Sequence, residues 1–218
     1  QQWRVNRLGL PGLAFQREQK RVYPQGNLAS HVLGFTDLDN NGIAGVEQHF
    51  QSELSDPARG GAAISLSIDL KVQHALRDEL QRSVRDFKAL GGAGLVMDAK
   101  SGEVLGLVSL PDFDPNNPTA AGQTEKFNRV TLGVYEMGSI FKTFTMAMAL
   151  EGGAVDLAGG YDVSRPIEVA SYTINDSHAG DDWLSVPDIF VHSSNIGSAK
   201  MALDVGTEGQ RAFLKSLG

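Results

Sequence analysis

Apolar positions recur along this chain with two different periods. In "DLKVQHALRDELQRSVRDFKALGG", Val72, Leu76, Leu80, Val84 and Phe87 fall on one stripe at helical spacing. Asp69 stands where it can cap that helix, and Gly91 reads as its stop. Just ahead of it, "ISLSI" alternates like a half-buried strand. Just behind it, "GAGLVMDAKSGEVLGLVSL" sets two apolar runs around "DAKSG", which predicts a hairpin of two largely buried strands. In "YEMGSIFKTFTMAMALEGG", residues 135–153, the apolar Ile140, Phe141, Phe144, Met146, Met148 and Leu150 surround a helix almost completely, so the pattern predicts burial on most sides.

These patterns divide the chain into three regions. The first, residues 1–60, mixes short apolar pieces with the turns "YPQGN" and "TDLDNNGIAG" and runs into the linker-like "DPARGGAA". The second holds the helix and the hairpin. The third, from about residue 122, reads as mainly helical with a loop-rich interlude at 152–182. There is no internal repeat.

Composition narrows the function classes. The 218 residues are 41% hydrophobic and 21% charged, with 25 glycines and 8 prolines, which suits a packed globular chain. A net charge of −7 without a basic stripe argues against nucleic acid, whose phosphates call for clustered Lys and Arg. The absence of cysteine fits an oxidising compartment. No run approaches the roughly 18 to 20 apolar residues of a membrane span, and "QQWRVNRLGL" lacks the form of a signal peptide.

Candidate chemistry starts in the apolar helix. Ser139 and Lys142 are neighbours on one face at i and i+3. A desolvated lysine favours its neutral amine, which can take a proton from an adjacent hydroxyl. The plain alternative is a capping serine and a snorkelling lysine. A second element follows in "DIFVHSSNIGSAKMAL", where Ser193, Ser194 and Asn195 precede a helical run at 196–203. By itself that is a polar capping turn. Together, S-x-x-K and S-x-N in this order match two of the three marks of penicillin-binding proteins and class A β-lactamases.

On these motifs the chain resembles the class B penicillin-binding proteins of the cell-division type, the D,D-transpeptidases that cross-link peptidoglycan. The resemblance also rests on "KRVYPQGNLASHVLGF", "GIAGVEQHF", "LVMDAKSGEVLGLVSLPDFDPNNP" and "FNRVTLGVYEMGSIFK", and departs where the family usually has proline and this chain has Met137. It implies Ser139 as acylated nucleophile, Lys142 as its base, Ser193 as proton relay and Asn195 as the group holding Lys142 and the substrate amide. It implies an α+β fold: residues 1–60 as the end of an N-terminal pedestal module, and 61–218 as the N-terminal part of a transpeptidase domain. It further implies peptidoglycan stem peptides and β-lactam antibiotics as ligands, other cell-wall or division proteins as partners, and no cofactor or metal. The expected place is the periplasmic face of the inner membrane, reached through an anchor absent from this chain. No E-x-x-x-N element suited to a deacylating glutamate follows Ser139, which favours a transpeptidase over a lactamase. A non-enzymatic sensor or scaffold is the alternative.

No K-[ST]-G follows Asn195, so the family comparison leads us to expect these 218 residues alone to be inactive and to expose apolar strand edges. The earlier "KSG" at 100–102 reads as hairpin turn residues. "DLDNNGIAGVEQ" mimics a calcium loop through Asp37, Asp39, Asn41 and Gly42, but has Gln48 where a bidentate glutamate is needed; it reads as a turn leading to Glu47. His31, His49, His74, His178 and His192 lack ligand spacing and read as surface or capping residues. Asp176, Asp181 and Asp182 read as a solvated loop.

Overall fold

A computed structural model describes residues 2–13, 15, 19–59, 62–176 and 182–218; His178, Asp181 and the two linker glycines at 60 and 61 lie outside the described residues. Internal contacts divide the chain into two units, Gln1–Val134 and Tyr135–Gly218.

The first unit contains α1 (Gln2–Asn6), α2 (Ser30–Leu33), α3 (Gly45–His49), α4 (Gln51–Ser55), α5 (Leu70–Asp86), the antiparallel hairpin β1 (Gly92–Met97) and β2 (Val104–Leu110), and α6 (Gln123–Lys126). Asp69 caps α5, accepting from Lys71 N at 2.7 Å and Val72 N at 3.3 Å. The stripe then lies on the hairpin. A Cβ added at Gly92 would sit 3.0 Å from Leu80, and one at Gly94 2.9 Å from Leu76, so glycine lets helix and strand approach this closely. Gln73, 1% exposed, joins the layers: its amide donates to Leu28 O and Leu107 O and accepts from Leu107 N, each at 2.8 Å. Arg77 and Asn27 meet on Asp112, with Arg77 Nε 2.6 Å from its carboxylate.

Three expectations change here. The stripe ends at Val84, because Lys88 takes a left-handed φ of 51° and closes the helix before Gly91, leaving Phe87 84% exposed. "ISLSI" forms no strand: Ser67 Oγ donates to Val104 O at 2.7 Å, and just past the segment Asp69 N donates to Leu105 O at 2.9 Å, where the chain already turns into α5. Only β2 is largely buried; β1 alternates, with Leu95 and Met97 exposed, since α5 covers one face of the hairpin.

The turn at 37–41 uses the carboxylate that a calcium ion would need. Asp37 accepts from Asp39 N at 2.9 Å, Asn41 N at 2.8 Å and Asn41 Nδ2 at 2.9 Å, and these bonds, the Asn41 side chain first, hold it below the usual carboxylate range. The turn leads to buried Glu47, whose Oε1 lies 2.9 Å from Arg21 Nε. Burial, and then the Glu47 charge, push the Tyr23 hydroxyl up to about 12.

The second unit contains α7 (Lys142–Glu151), two ribbons, α8 (Val186–Val191) and α9 (Asn195–Ser216). The ribbons pair β3 (Gly160–Asp162) with β6 (Trp183–Ser185), and β4 (Ile167–Val169) with β5 (Tyr172–Ile174), so the interlude expected as loop holds three strands, with the fourth just after it, all too short to leave a periodic signal. Ala149, Val163, Leu184, Val186, Ile189, Ile196 and Met201 form the core. Helices α8 and α9 meet at Gly197, where a Cβ would fall 2.6 Å from Ile189. A break at Gly206, with φ 72° and ψ 168°, bends α9. The class is α+β, as the sequence predicts.

Candidate active site

Gly138 takes a φ of 58°, a conformation open to glycine without a side-chain clash, and turns the chain into a 3₁₀ turn, Gly138–Phe141. Ser139 stands exposed on that turn, and Lys142 is the first residue of α7. The expected burial of the helix is corrected. Thr145, Met148 and Ala149 are buried, Met146 and Leu150 are half-buried against the core, and Ile140 (66%), Phe141 and Phe144 are exposed. The physical reason is coverage: α8 and α9 supply partners for one side of α7, and hydrophobicity alone does not say which side is met.

Lys142 reaches across to the start of α9. Its Nζ donates to Asn195 Oδ1 at 2.6 Å, to Ser193 Oγ at 3.0 Å and to Ser193 O at 2.5 Å. Burial lowers its pKa from the ordinary 10.5, and the Asp176 charge acts in the opposite sense. Three acceptors use all three protons of an ammonium. Two of them, the Ser193 carbonyl and Asn195 Oδ1, only accept, whereas the Ser193 hydroxyl can also donate. A neutral amine can therefore keep two N–H bonds and still offer its lone pair to a hydroxyl. Ser139 Oγ makes no hydrogen bond among the described residues, so the structure brings Lys142, Ser193 and Asn195 together by direct bonds and joins Ser139 to them through the chain.

The S-S-N segment does two jobs at once. Ser194 is the N-cap of α9, accepting from Gly197 N at 2.9 Å, while Ser193, in a left-handed φ of 55°, and Asn195 turn to Lys142. What holds this segment is a residue that sequence reasoning left in solvent. Asp176 accepts from Ser194 Oγ at 2.6 Å, Asn195 N at 2.5 Å and Ile196 N at 3.0 Å, and Asn175 O accepts from Asn195 Nδ2 at 2.8 Å. A carboxylate at a helix start is favourable, but nothing local in the sequence selects this one over Asp182, which is exposed.

The other candidates are accounted for by their own surroundings. In the hairpin turn Asp98 accepts from Lys100 N and Ser101 N, both at 2.8 Å, and Gly102 takes a φ of 77°, so the "KSG" residues are turn residues. His49, His74 and His192 are exposed. His31 is half-buried instead: it packs edge-on to Phe113, and its Nε2 donates to Glu125 O at 2.8 Å, an assignment that follows because a carbonyl only accepts. Burial lowers its pKa.

Comparison with known proteins gives these residues a context. The family described as the penicillin binding protein transpeptidase domain matches residues 92–218. The "Probable peptidoglycan D,D-transpeptidase FtsI" of Caulobacter vibrioides is 40% identical over 97% of this chain and 36% of its own length. The peptidoglycan D,D-transpeptidase FtsI of Escherichia coli K12 is 29% identical over 91% of this chain and 37% of its own. Among solved structures, the D,D-transpeptidase domain of a peptidoglycan glycosyltransferase from Eggerthella lenta superposes with a TM-score of 0.77 at 26% identity, covering 91% of this chain and 48% of that one. The chain thus spans between about a third and a half of the length of these relatives. With a transpeptidase match over more than half its residues, and a fold shared with a solved domain of that kind, the chain belongs to the penicillin-binding protein transpeptidase family.

Proposed function

We propose that the protein is a peptidoglycan D,D-transpeptidase working by serine acyl transfer at the periplasmic face of the membrane, in cell division, and that β-lactams acylate it. The observation that carries this reading is the Lys142 amine, lowered in pKa by burial and held on Ser193 and Asn195. Ser139 Oγ attacks the carbonyl carbon of the penultimate D-Ala of a stem peptide while Lys142 takes the hydroxyl proton. The C–N bond to the terminal D-Ala breaks, and the leaving amine receives a proton through the Ser193 hydroxyl. The amino group of a second stem peptide then attacks the ester and restores Ser139. A β-lactam follows the first half: its ring amide opens onto Ser139 and leaves an ester.

In the same reading, residues 1–60 close a pedestal module and 61–218 begin the transpeptidase domain, and an anchor and division-protein partners belong to the whole protein. In this reading these 218 residues by themselves acylate little, because among the described residues Lys142 bonds Ser193 and Asn195 and no hydrogen bond joins it to Ser139 Oγ. That unengaged hydroxyl favours the competing reading, a sensor or scaffold without chemistry.

One assay separates the two. The full-length protein is given a stem pentapeptide ending in D-Ala-D-Ala and an amine acceptor, and released D-alanine and joined product are measured. The enzyme reading expects both, and neither with Ser139→Ala. No product from folded protein would support the scaffold.

A further inference from the structure

We infer that Asp176, which follows β5, is a positioning residue for the acyl transfer: its carboxylate fixes the start of α9 so that Ser193 and Asn195 meet Lys142. The inference rests on the roles proposed above for Ser139 and Lys142. The geometry is specific. One carboxylate oxygen takes Asn195 N and Ile196 N, and the other takes the hydroxyl of buried Ser194, so both residues following Ser193 are gripped through backbone or side chain. Asn175 adds a grip on the Asn195 amide itself, leaving Asn195 Oδ1 as the end that faces Lys142. Ser194 caps the helix; Asp176 fixes the backbone beside the two side chains that hold the candidate base.

The charge matters as well as the shape. Among the described residues, the ionisable groups on the elements packed here have partners of their own or stand exposed or at a helix's far end. On α9, Lys200 donates to Asp162 O at 2.6 Å and Asp204 accepts from Tyr161 Oη at 2.5 Å. On α8, Asp188 accepts from Ser185 Oγ at 2.5 Å, and His192 follows that helix in an exposed position. On α7 itself, Glu151 lies at the far end, about 14 Å along the axis from Lys142. Among the described residues, Asp176 supplies the charge that opposes the effect of burial on the amine.

The test follows penicillin acylation of the full-length protein by intact mass, as a function of pH, for wild type and for Asp176→Asn, Asp176→Glu and Asp176→Ala. Asparagine keeps the shape and removes the charge, so the rising limb of the rate profile moves to lower pH; glutamate keeps the limb at the wild-type pH even if the rate falls. Alanine frees the start of α9 and loses about a hundred-fold in rate, the scale expected for misplacing a reacting group by about 1 Å. Should the asparagine variant fail to fold, Asp176→Ser supplies the neutral comparison. A limb unmoved in the folded neutral variant overturns the inference whatever alanine does, since simple support of the helix would slow the alanine variant alone. Labelling that survives Ser139→Ala is a different result: it overturns the acyl-transfer reading itself.

Discussion

Lys142 Nζ stands 2.6 Å from Asn195 Oδ1, so the first residue of α7 is tied to the first residue of α9 by one hydrogen bond. Candidate base and S-x-N segment thus form one piece, assembled by the ends of two helices that pack on a shared core.

Replacing the lysine by arginine tests the proton-taking role. Guanidinium keeps its proton at any working pH. Lys142→Arg should reduce β-lactam labelling to background while the melting temperature changes by only a few degrees. Normal labelling of the folded variant would remove Lys142 from the mechanism.

The lowered pKa of Lys142 gives a pH dependence with a definite sign. Between its folded value and the ordinary 10.5, the unfolded chain binds more protons at this site than the folded one, so this group's contribution to stability rises with pH across that window. Acylation should likewise rise as the amine deprotonates, with a limb below the ordinary lysine value. Titration of denaturation midpoints for wild type against Lys142→Met checks the first part: the wild type should gain on the variant toward high pH. A constant difference would contradict the shift.

Gly197 allows α9 to approach α8. A valine there would place its Cβ 2.6 Å from Ile189, which is 0% exposed and has no room to move. Gly197→Val should destabilise by about 1 to 3 kcal/mol, the scale of an overpacked core. Urea denaturation of the two proteins measures it, and an unchanged midpoint would mean that the helices separate at no cost.

Gln73 joins α5, β2 and the chain at Leu28 through three bonds. Gln73→Leu keeps most of the volume and leaves three part-buried backbone groups without a side-chain partner, at about 1 to 3 kcal/mol for each group that water does not reach. The expected result is a clear loss in denaturation midpoint with the helical signal retained; stability equal to wild type would show that these groups find other partners.

Much of this was legible in the sequence where the cause is local. The stripe from Val72 to Val84 and the Asp69 cap read directly because helix periodicity and capping involve residues within a few positions. The hairpin read for the same reason, and the pairing of S-x-x-K with S-x-N points to Lys142, Ser193 and Asn195. What was hidden depends on tertiary choice. Asp176 lies 18 to 20 residues from the groups it holds, and Asp182 offered the same chemistry to the eye. Lys88 closes α5 in a conformation that glycine favours, although Gly91 stood nearby. The exposure of Ile140 and Phe141 reflects which neighbours pack on α7, something apolar composition does not encode.

The most direct test of the account is the site of covalent attachment. Full-length protein incubated with a penicillin is weighed intact and then digested with trypsin. The account predicts one adduct per chain, mapped to the peptide at 130–142 and, by fragmentation, to Ser139, and absent from Ser139→Ala. An adduct on any other residue, or a folded wild-type protein that gains no mass, would contradict it.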